Sequence, residues 1–485
     1  MTPGRVIKMM LAFMAMVPLA VLLALRTPVD ILFPLAWLSC GLLVIFGITR
    51  TWVVKRDQAS LMLGATIALA VRAPIAWVLF DRVARNPDAR FYWEMGSRIS
   101  HLWAADRLIP LDYIRTTGTH QVGYFVWVAG HMAVQRFEYL VVATNGLIGV
   151  ATGLLAYALA RLVCPEMKEL PRRAAWMVWL STAMLYSDVQ NMRDSAAIFS
   201  VLVTVIGLQS IAGKWSWKGL GVYFVGLLLL IQIRSYIAFV FLPVAAVTLF
   251  LVRREHRILM FLGFTSLAVG AFMVIASADL FVLARSMSQG ADLMDMLQFA
   301  SVGLTGTMEG SSLVHGLRLA GWMDLFTLIP LGSVRSLFAP LPWKTESTML
   351  FYAPDAVIRF CLMPFAAVGV VELLRRDWRR VVPILAATSA LIVLYAVIEI
   401  GGNPRHNAQW YAMYYLLSLV GVQAYRRYEG IVWSGLAVVS LSVWVIGMTT
   451  ATSKLFFPLC MFCIAAWWMY QVRPWRHLSG KLELE

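Results

Sequence analysis

One short stretch of the chain reads Asp188-Val189-Gln190-Asn191-Met192-Arg193-Asp194. Carboxylates take protons from hydroxyl groups, and a guanidinium holds phosphate oxygens in bidentate fashion. Asp188 and Arg193 are therefore candidate substrate-binding residues, and Asp194 is a candidate catalytic one. The plainer role for Asp194, which opens an apolar run, is that of an ordinary helix cap. A further carboxylate, Asp88, stands in Asn86-Pro87-Asp88-Ala89-Arg90-Phe91-Tyr92-Trp93, directly after an apolar run. Just outside a membrane helix it could meet a lipid phosphate or a sugar hydroxyl, and there it would act as a general base on an acceptor hydroxyl. The alternative is a solvated turn residue after Pro87. With Asp194 as its partner, Asp88 could also hold a divalent cation such as Mg or Mn, or orient a substrate.

Arginines add a second kind of chemistry. Arg234 lies in Ile233-Arg234-Ser235-Tyr236, and Arg405-His406 lie in Gly401-Gly402-Asn403-Pro404-Arg405-His406-Asn407. Charges at membrane depth are costly and usually mark function. Both segments are candidates for binding an anionic substrate; the competing reading is snorkelling, or pairing with Glu399. Arg72, inside an apolar run, carries the same ambiguity. His101, His120, His131 and His315 do not fall at metal-ligand spacing and read as surface or packing residues. The cysteines imply neither a disulfide framework nor a zinc site, since they lie in apolar runs or beside a basic loop. Cys460 and Cys463 have CxxC spacing, but in mid-helix, where a thiolate would be unfavourable. No GxxxxGK[ST], GxGxxG followed by an acidic residue, HExxH or GxSxG motif occurs. Nothing in the chain points to nucleotide hydrolysis.

The elements that must position these residues follow from composition. Of the 485 residues, 60% are hydrophobic and 14% charged, whereas soluble domains carry roughly 25% charged residues. Apolar runs fall near 9–25, 31–49, 59–80, 140–163, 174–187, 195–212, 219–233, 236–252, 258–284, 354–374, 382–400, 411–425, 431–448 and 455–471. A helical crossing needs about 20 apolar residues, and backbone polar groups in lipid must pair within the segment. The pattern predicts an all-α, polytopic integral membrane protein with about fourteen transmembrane helices. The first run has the look of a signal peptide but lacks a small-residue cleavage site, and reads as an uncleaved helix. Basic clusters such as Arg50/Lys55/Arg56, Arg253/Arg254/Arg257 and Arg375/Arg376/Arg379/Arg380 all fall on one side of this scheme. Positive charge marks the cytoplasmic side, which puts both termini in the cytoplasm. It also explains the net charge of +15 without nucleic acid as a partner; membrane lipids are the partners this charge suits.

The division expected is residues 1–58 as two N-terminal helices, 59–284 as a transmembrane core with an extracytoplasmic loop at 81–139, and 285–353 as a second long extracytoplasmic loop. Residues 354–471 follow as C-terminal helices, and 472–485 as a cytoplasmic tail. Interfacial helices are expected in both long loops, one of them over 120–137, where Trp and Tyr suit the membrane boundary.

The order of these features resembles the GT-C superfamily of membrane glycosyltransferases. The resemblance begins at Asp88, with Tyr92 a few positions later, and runs through His120-Gln121-Val122-Gly123-Tyr124. It continues through Asn145-Gly146-Leu147-Ile148-Gly149 and Asn191-Met192-Arg193-Asp194 to the late Arg405-His406 loop. It is one of order and topology, and an acidic pair at Asp88 is absent, since Ala89 and Arg90 follow. It implies a catalytic Asp88, a second acidic residue at Asp194, and Tyr92, Arg234, Arg405 and His406 around a substrate. The donor would be a sugar or glycan on a polyprenyl phosphate or diphosphate, and the acceptor a glycan or a lipid. The reaction would run on the extracytoplasmic face of the plasma (inner) membrane, with inversion. The competing classes are a transporter or flippase of a lipid-linked oligosaccharide, an O-antigen-type polymerase or ligase, and a structural subunit without chemistry. A transporter should show internal repeats and broken helices at mid-membrane; no repeat is evident, and the suspicious polar residues cluster on one face.

Overall fold

A computed structural model describes residues 32–83, 87–105, 119–252, 352–398 and 404–430, with isolated positions at 329, 332–333, 336–337 and 432–433. The regular elements among the described residues are all helical: α1 (Leu32–Trp52), α2 (Lys55–Val83), α3 (Pro87–Ala104), α4 (Thr119–Val134), α5 (Glu138–Val163), α6 (Leu170–Leu180), α7 (Thr182–Asp188), α8 (Asp194–Gly213), α9 (Trp217–Val252), α10 (Ala353–Ile398) and α11 (Pro404–Ala424). Six of them, α1, α2, α5, α8, α9 and α10, are long and apolar enough to cross a membrane. The chain is thus a helical membrane protein. The expected runs at 9–25, 258–284 and 455–471, most of 431–448 and most of the loop at 285–353 lie outside the described residues.

The two longest helices are not rods. In α9, Arg234 leaves helical geometry (φ −151°, ψ 78°). The Tyr223 hydroxyl donates to the Phe241 carbonyl at 2.8 Å, two positions that a straight helix would hold roughly 27 Å apart. The two arms therefore fold back on each other about Arg234, where two runs and a short connection were expected. α10 bends likewise at Asp377 (φ −159°, ψ 91°). The Arg359 carbonyl accepts from Tyr414, and Thr388 donates to the sulfur of Met413, so both arms of α10 pack along α11. Gly369 and Gly421 let these helices approach closely, since a Cβ on either would collide with the facing backbone.

One expectation needs correction. The apolar run 174–187 is not one helix. It breaks at Ser181, which turns extended and caps α7 by accepting from the Met184 amide at 3.2 Å; the resulting helices α6 and α7 are too short to span. α11, over the run expected at 411–425, is less apolar than these six. It is an interior helix that buries Trp410, Tyr411, Tyr414 and Tyr415. Its polar groups face protein, and its composition follows from that.

α3 and α4 pack together through Tyr92, Ile99, Tyr124, Phe125 and Val128, and Gly96 removes the Cβ that Val128 would meet. The run 120–137, expected as an interfacial helix, is helical as α4 to Val134. Roughly a helix length from the start of α10 lies a different polar knot. Glu372 accepts from Arg376 at 2.7 Å, Tyr428 at 3.0 Å and Arg427 at 3.3 Å. This knot closes the bend of α10 against the end of α11.

Candidate functional site

Four parts of the chain that are remote in sequence converge: the first turn of α3, the first turn of α8, the bend of α9 and the first turn of α11. Each contributes one charged side chain. Arg405 is the hub. Its Nη1 donates to Asp88 Oδ2 at 2.9 Å, and its Nε donates to Asp194 Oδ2 at 3.2 Å. The other oxygen of Asp194 accepts from Arg234 Nη2. Arg234 Nη1 donates to the Tyr236 hydroxyl at 2.9 Å. Arg193 completes the set, lying over the Tyr92 ring at 6.0 Å and donating to the Ile233 carbonyl at 3.2 Å.

Local sequence explains these placements. Pro87 opens α3 at a position where its missing N–H is not needed, which leaves Asp88 in the first turn. Asp194 begins α8 and favours the positive end of its dipole. The helical break at Arg234 turns that side chain into the protein, and Pro404 starts α11 directly before Arg405. Three helix N-termini therefore meet at the cluster, each adding partial positive charge.

Exposure separates the members. The side chains of Asp194 and Arg234 are 0% exposed and that of Arg405 18%, whereas Asp88 is 50% exposed. Only Asp88 presents a carboxylate that a solvent-borne hydroxyl could reach. Burial pushes the Tyr92 phenol above its ordinary value, against the opposing pull of Arg193. Tyr92 is thus a neutral ring wall beneath Arg193.

A second layer holds the backbone. The Asn145 amide, wholly buried in α5, donates to the carbonyls of Gln190 at 2.8 Å and Met192 at 3.1 Å and to the Tyr124 hydroxyl at 3.2 Å. Tyr124 in turn donates to Asn191 at 3.1 Å. Asn191 donates to Glu138 at 2.8 Å and to the Ala89 carbonyl at 3.4 Å. The segment before Asp194 is thereby tied to the residue after Asp88. This network fixes the distance between the two carboxylates. The sequence carried one signal for it: Asn145 is a polar misfit in an apolar run.

The structure brings together Asp88, Asp194, Arg234, Arg405, Arg193 and Tyr92. It does not bring in Asp188. Asp188 faces away, accepting from Arg72 Nε at 2.7 Å, and both side chains are nearly inaccessible. Its carboxylate packs where a Cβ on Gly149 would sit. The cause is α7, whose last residue is Asp188; the turn that follows points Asp188 and Asp194 in different directions. His406, next to Arg405 in α11, is buried and stacks on Tyr395 at 5.6 Å, within the electrostatic reach of Arg234, Arg405 and Arg193. The pairing of Arg405 with Glu399 involves a residue outside the described set; the partners seen are Asp88 and Asp194. His120 and His315 lie outside the described side chains, while His131 is a packing residue bonded to the Trp127 carbonyl and Thr144 at 2.8 Å each.

The donor set does not suit a divalent cation. Two carboxylates are present, both already engaged by guanidinium groups, and no group of three or more His, Cys, Asp or Glu is placed to hold a metal among the described residues. A hard cation wants several oxygen ligands and no adjacent positive charge. Three arginines against two aspartates, at three helix N-termini, instead favour an anion.

No known family model matches the chain, and no curated protein matches it either. The functional argument therefore rests on the geometry of the site.

Proposed function

We propose that the chain is a membrane glycosyltransferase of the GT-C type. It moves a sugar or glycan from a polyprenyl-phosphate or -diphosphate donor to a glycan or lipid acceptor. About fourteen helices would carry the site on the extracytoplasmic face of an inner membrane, with both termini in the cytoplasm. One observation carries this reading: Arg405 joins the half-exposed Asp88 to the buried Asp194. That pairing puts a reachable base beside a guanidinium suited to phosphate oxygens.

The residues divide the work as follows. The donor phosphate displaces Asp88 from Arg405 and takes its place on the guanidinium. Asp88, released, accepts the proton of the acceptor hydroxyl. The acceptor oxygen forms its bond to the anomeric carbon while the bond from that carbon to the phosphate oxygen breaks. The electron pair leaves on the phosphate, where Arg405 stabilises the charge. A single displacement inverts the anomeric centre. Asp194 and Arg234 are too buried to meet either substrate directly. They position Arg405: Asp194 fixes the guanidinium plane, and Arg234 offsets the buried charge of Asp194. The site uses no metal in this scheme, because its positive charge comes from arginine.

The test is complementation of a deletion strain with wild type or Asp88→Asn, reading the surface-glycan profile and the membrane level of the protein. Asp88→Asn at normal level with a truncated glycan is the expected result. Full restoration of the glycan would move the reading to a transporter or structural subunit.

A further inference from the structure

Three phenol groups are buried without a hydrogen-bond partner among the described residues, those of Tyr352, Tyr411 and Tyr415, the last within reach of the Asp355 carboxylate. The Tyr352 hydroxyl, just before α10, belongs to a residue 3% exposed; the Tyr411 hydroxyl, on α11, belongs to one 0% exposed. Both rings are firmly held. Tyr352 packs edge-on against Tyr186 at 5.0 Å, and Tyr411 lies under Arg359 at 4.2 Å and against Trp410 at 4.9 Å. Asp355 accepts from Ser181 at 2.7 Å, which ties the start of α10 to the α6–α7 break and keeps Tyr352 against Tyr186.

The position of Tyr352 makes its orphan hydroxyl informative. It lies within the electrostatic reach of Arg405, Asp194 and Tyr411. It therefore lies near both the proposed phosphate site and the second orphan phenol. A buried hydroxyl without a partner is unfavourable, and a phenylalanine would fill the same space without that defect. Native proteins rarely keep such groups unless something outside the chain supplies the bond. The missing partner must itself donate and accept hydrogen bonds, and it must lie next to an anion held by Arg405. A glycosyl group on a phosphate has that chemistry: its hydroxyls donate and accept, and its ring C–H faces suit aromatic walls.

We propose that Tyr352 and Tyr411 bind the sugar of the donor, reading its hydroxyl groups while Arg405 holds the phosphate. This rests on the transferase reading and adds a pair of residues that select the glycosylated lipid over the bare one.

The test uses the full chain, extracted with its surrounding lipid from the cells that make it. The bound polyprenyl phosphate and polyprenyl-linked glycan are then measured by mass spectrometry. Tyr352→Phe and Tyr411→Phe each remove one oxygen and leave the ring packing in place. Both variants are expected to keep the bare polyprenyl phosphate. Their ratio of glycosylated to bare lipid should fall about 10-fold, as the loss of about 1.4 kcal/mol predicts. Their thermal midpoints should be unchanged or higher, because an unpaired group has gone. An unchanged lipid ratio in both variants overturns the proposal. An unchanged ratio with a lowered midpoint does so too and assigns the hydroxyls to structural water. If the wild type carries no polyprenyl lipid of either kind, the transferase reading itself fails, and this proposal with it.

Discussion

Two buried arginine–aspartate associations stand close together in this protein and differ in one respect. Arg72 and Asp188 form a one-to-one pair with 2% and 3% side-chain exposure, and Arg72 also donates to the Ala68 and Trp179 carbonyls. Asp194 and Arg234 are as deeply buried, at 0% each, but Asp194 is shared with Arg405, which reaches outward to Asp88. The first association is balanced and sealed. The second, with Arg193 beside it, sets three arginines against two aspartates and opens through a half-exposed carboxylate. Burial of charge therefore does not by itself mark a functional group. The distinguishing property is an imbalance connected to the surface, because only an imbalance leaves something for a ligand to satisfy.

The comparison can be broken most sharply at Asp88. Asp88→Asn should lower transfer by about 10²–10⁴-fold, the usual contribution of a general base, while membrane level and thermal midpoint stay at wild-type values. The same variant should bind bare polyprenyl phosphate more tightly than wild type in nanodiscs, since the competing carboxylate has gone from Arg405. Weaker binding would place Asp88 on the donor rather than against it. At the sealed pair the effect should reverse. Arg72→Ala leaves Asp188 buried without its counter-charge and should destabilise the protein by about 3–5 kcal/mol. It should show as lost accumulation in the membrane or a sharply lowered midpoint, with no selective loss of activity in the protein that remains.

Smaller changes sharpen the contrast. Gly149→Ala pushes a methyl group into the space of the Asp188 carboxylate. It should cost about 1–3 kcal/mol as an overpacking effect, read as a lowered midpoint with near-normal activity per folded molecule. At the weak end, Arg90 and Glu94 pair at 2.8 Å on the exposed face of α3, close to Asp88 in sequence. Arg90→Ala should change stability by under about 1 kcal/mol and leave transfer untouched. A large activity loss there would extend the site along α3, past Asp88.

Much of this was legible in the sequence, for a definite reason. Apolar run length and charge segregation are local properties, and lipid leaves a long apolar run little choice but a helix. Hence α1, α2, α5 and α8 fall close to their predicted runs, and the bends at Arg234 and Asp377 fall where connections were expected. Residue type also singled out Asp88, Asp194, Arg234 and Arg405, because ionisable groups beside apolar runs are conspicuous. The failures share a cause as well. The run at 174–187 looked continuous because hydropathy does not register the cap that Ser181 makes. α11 was legible as a helix but not as an interior one, because apolar residues facing lipid and aromatic residues facing protein read alike in one dimension.

What the sequence determined by itself is the solvent, the helices and the short roster of charged residues able to do chemistry. Which charges meet was decided only by the tertiary structure. Asp188 and Asp194 are neighbours in the chain and equal in chemistry, yet one closes a pair with Arg72 and the other holds Arg405 for Asp88. That choice depends on a turn between two helices and on partners more than a hundred residues away. Such long-range pairing leaves no trace in local periodicity, because ion pairs are selected by the packing of whole helices and not by the residues beside them.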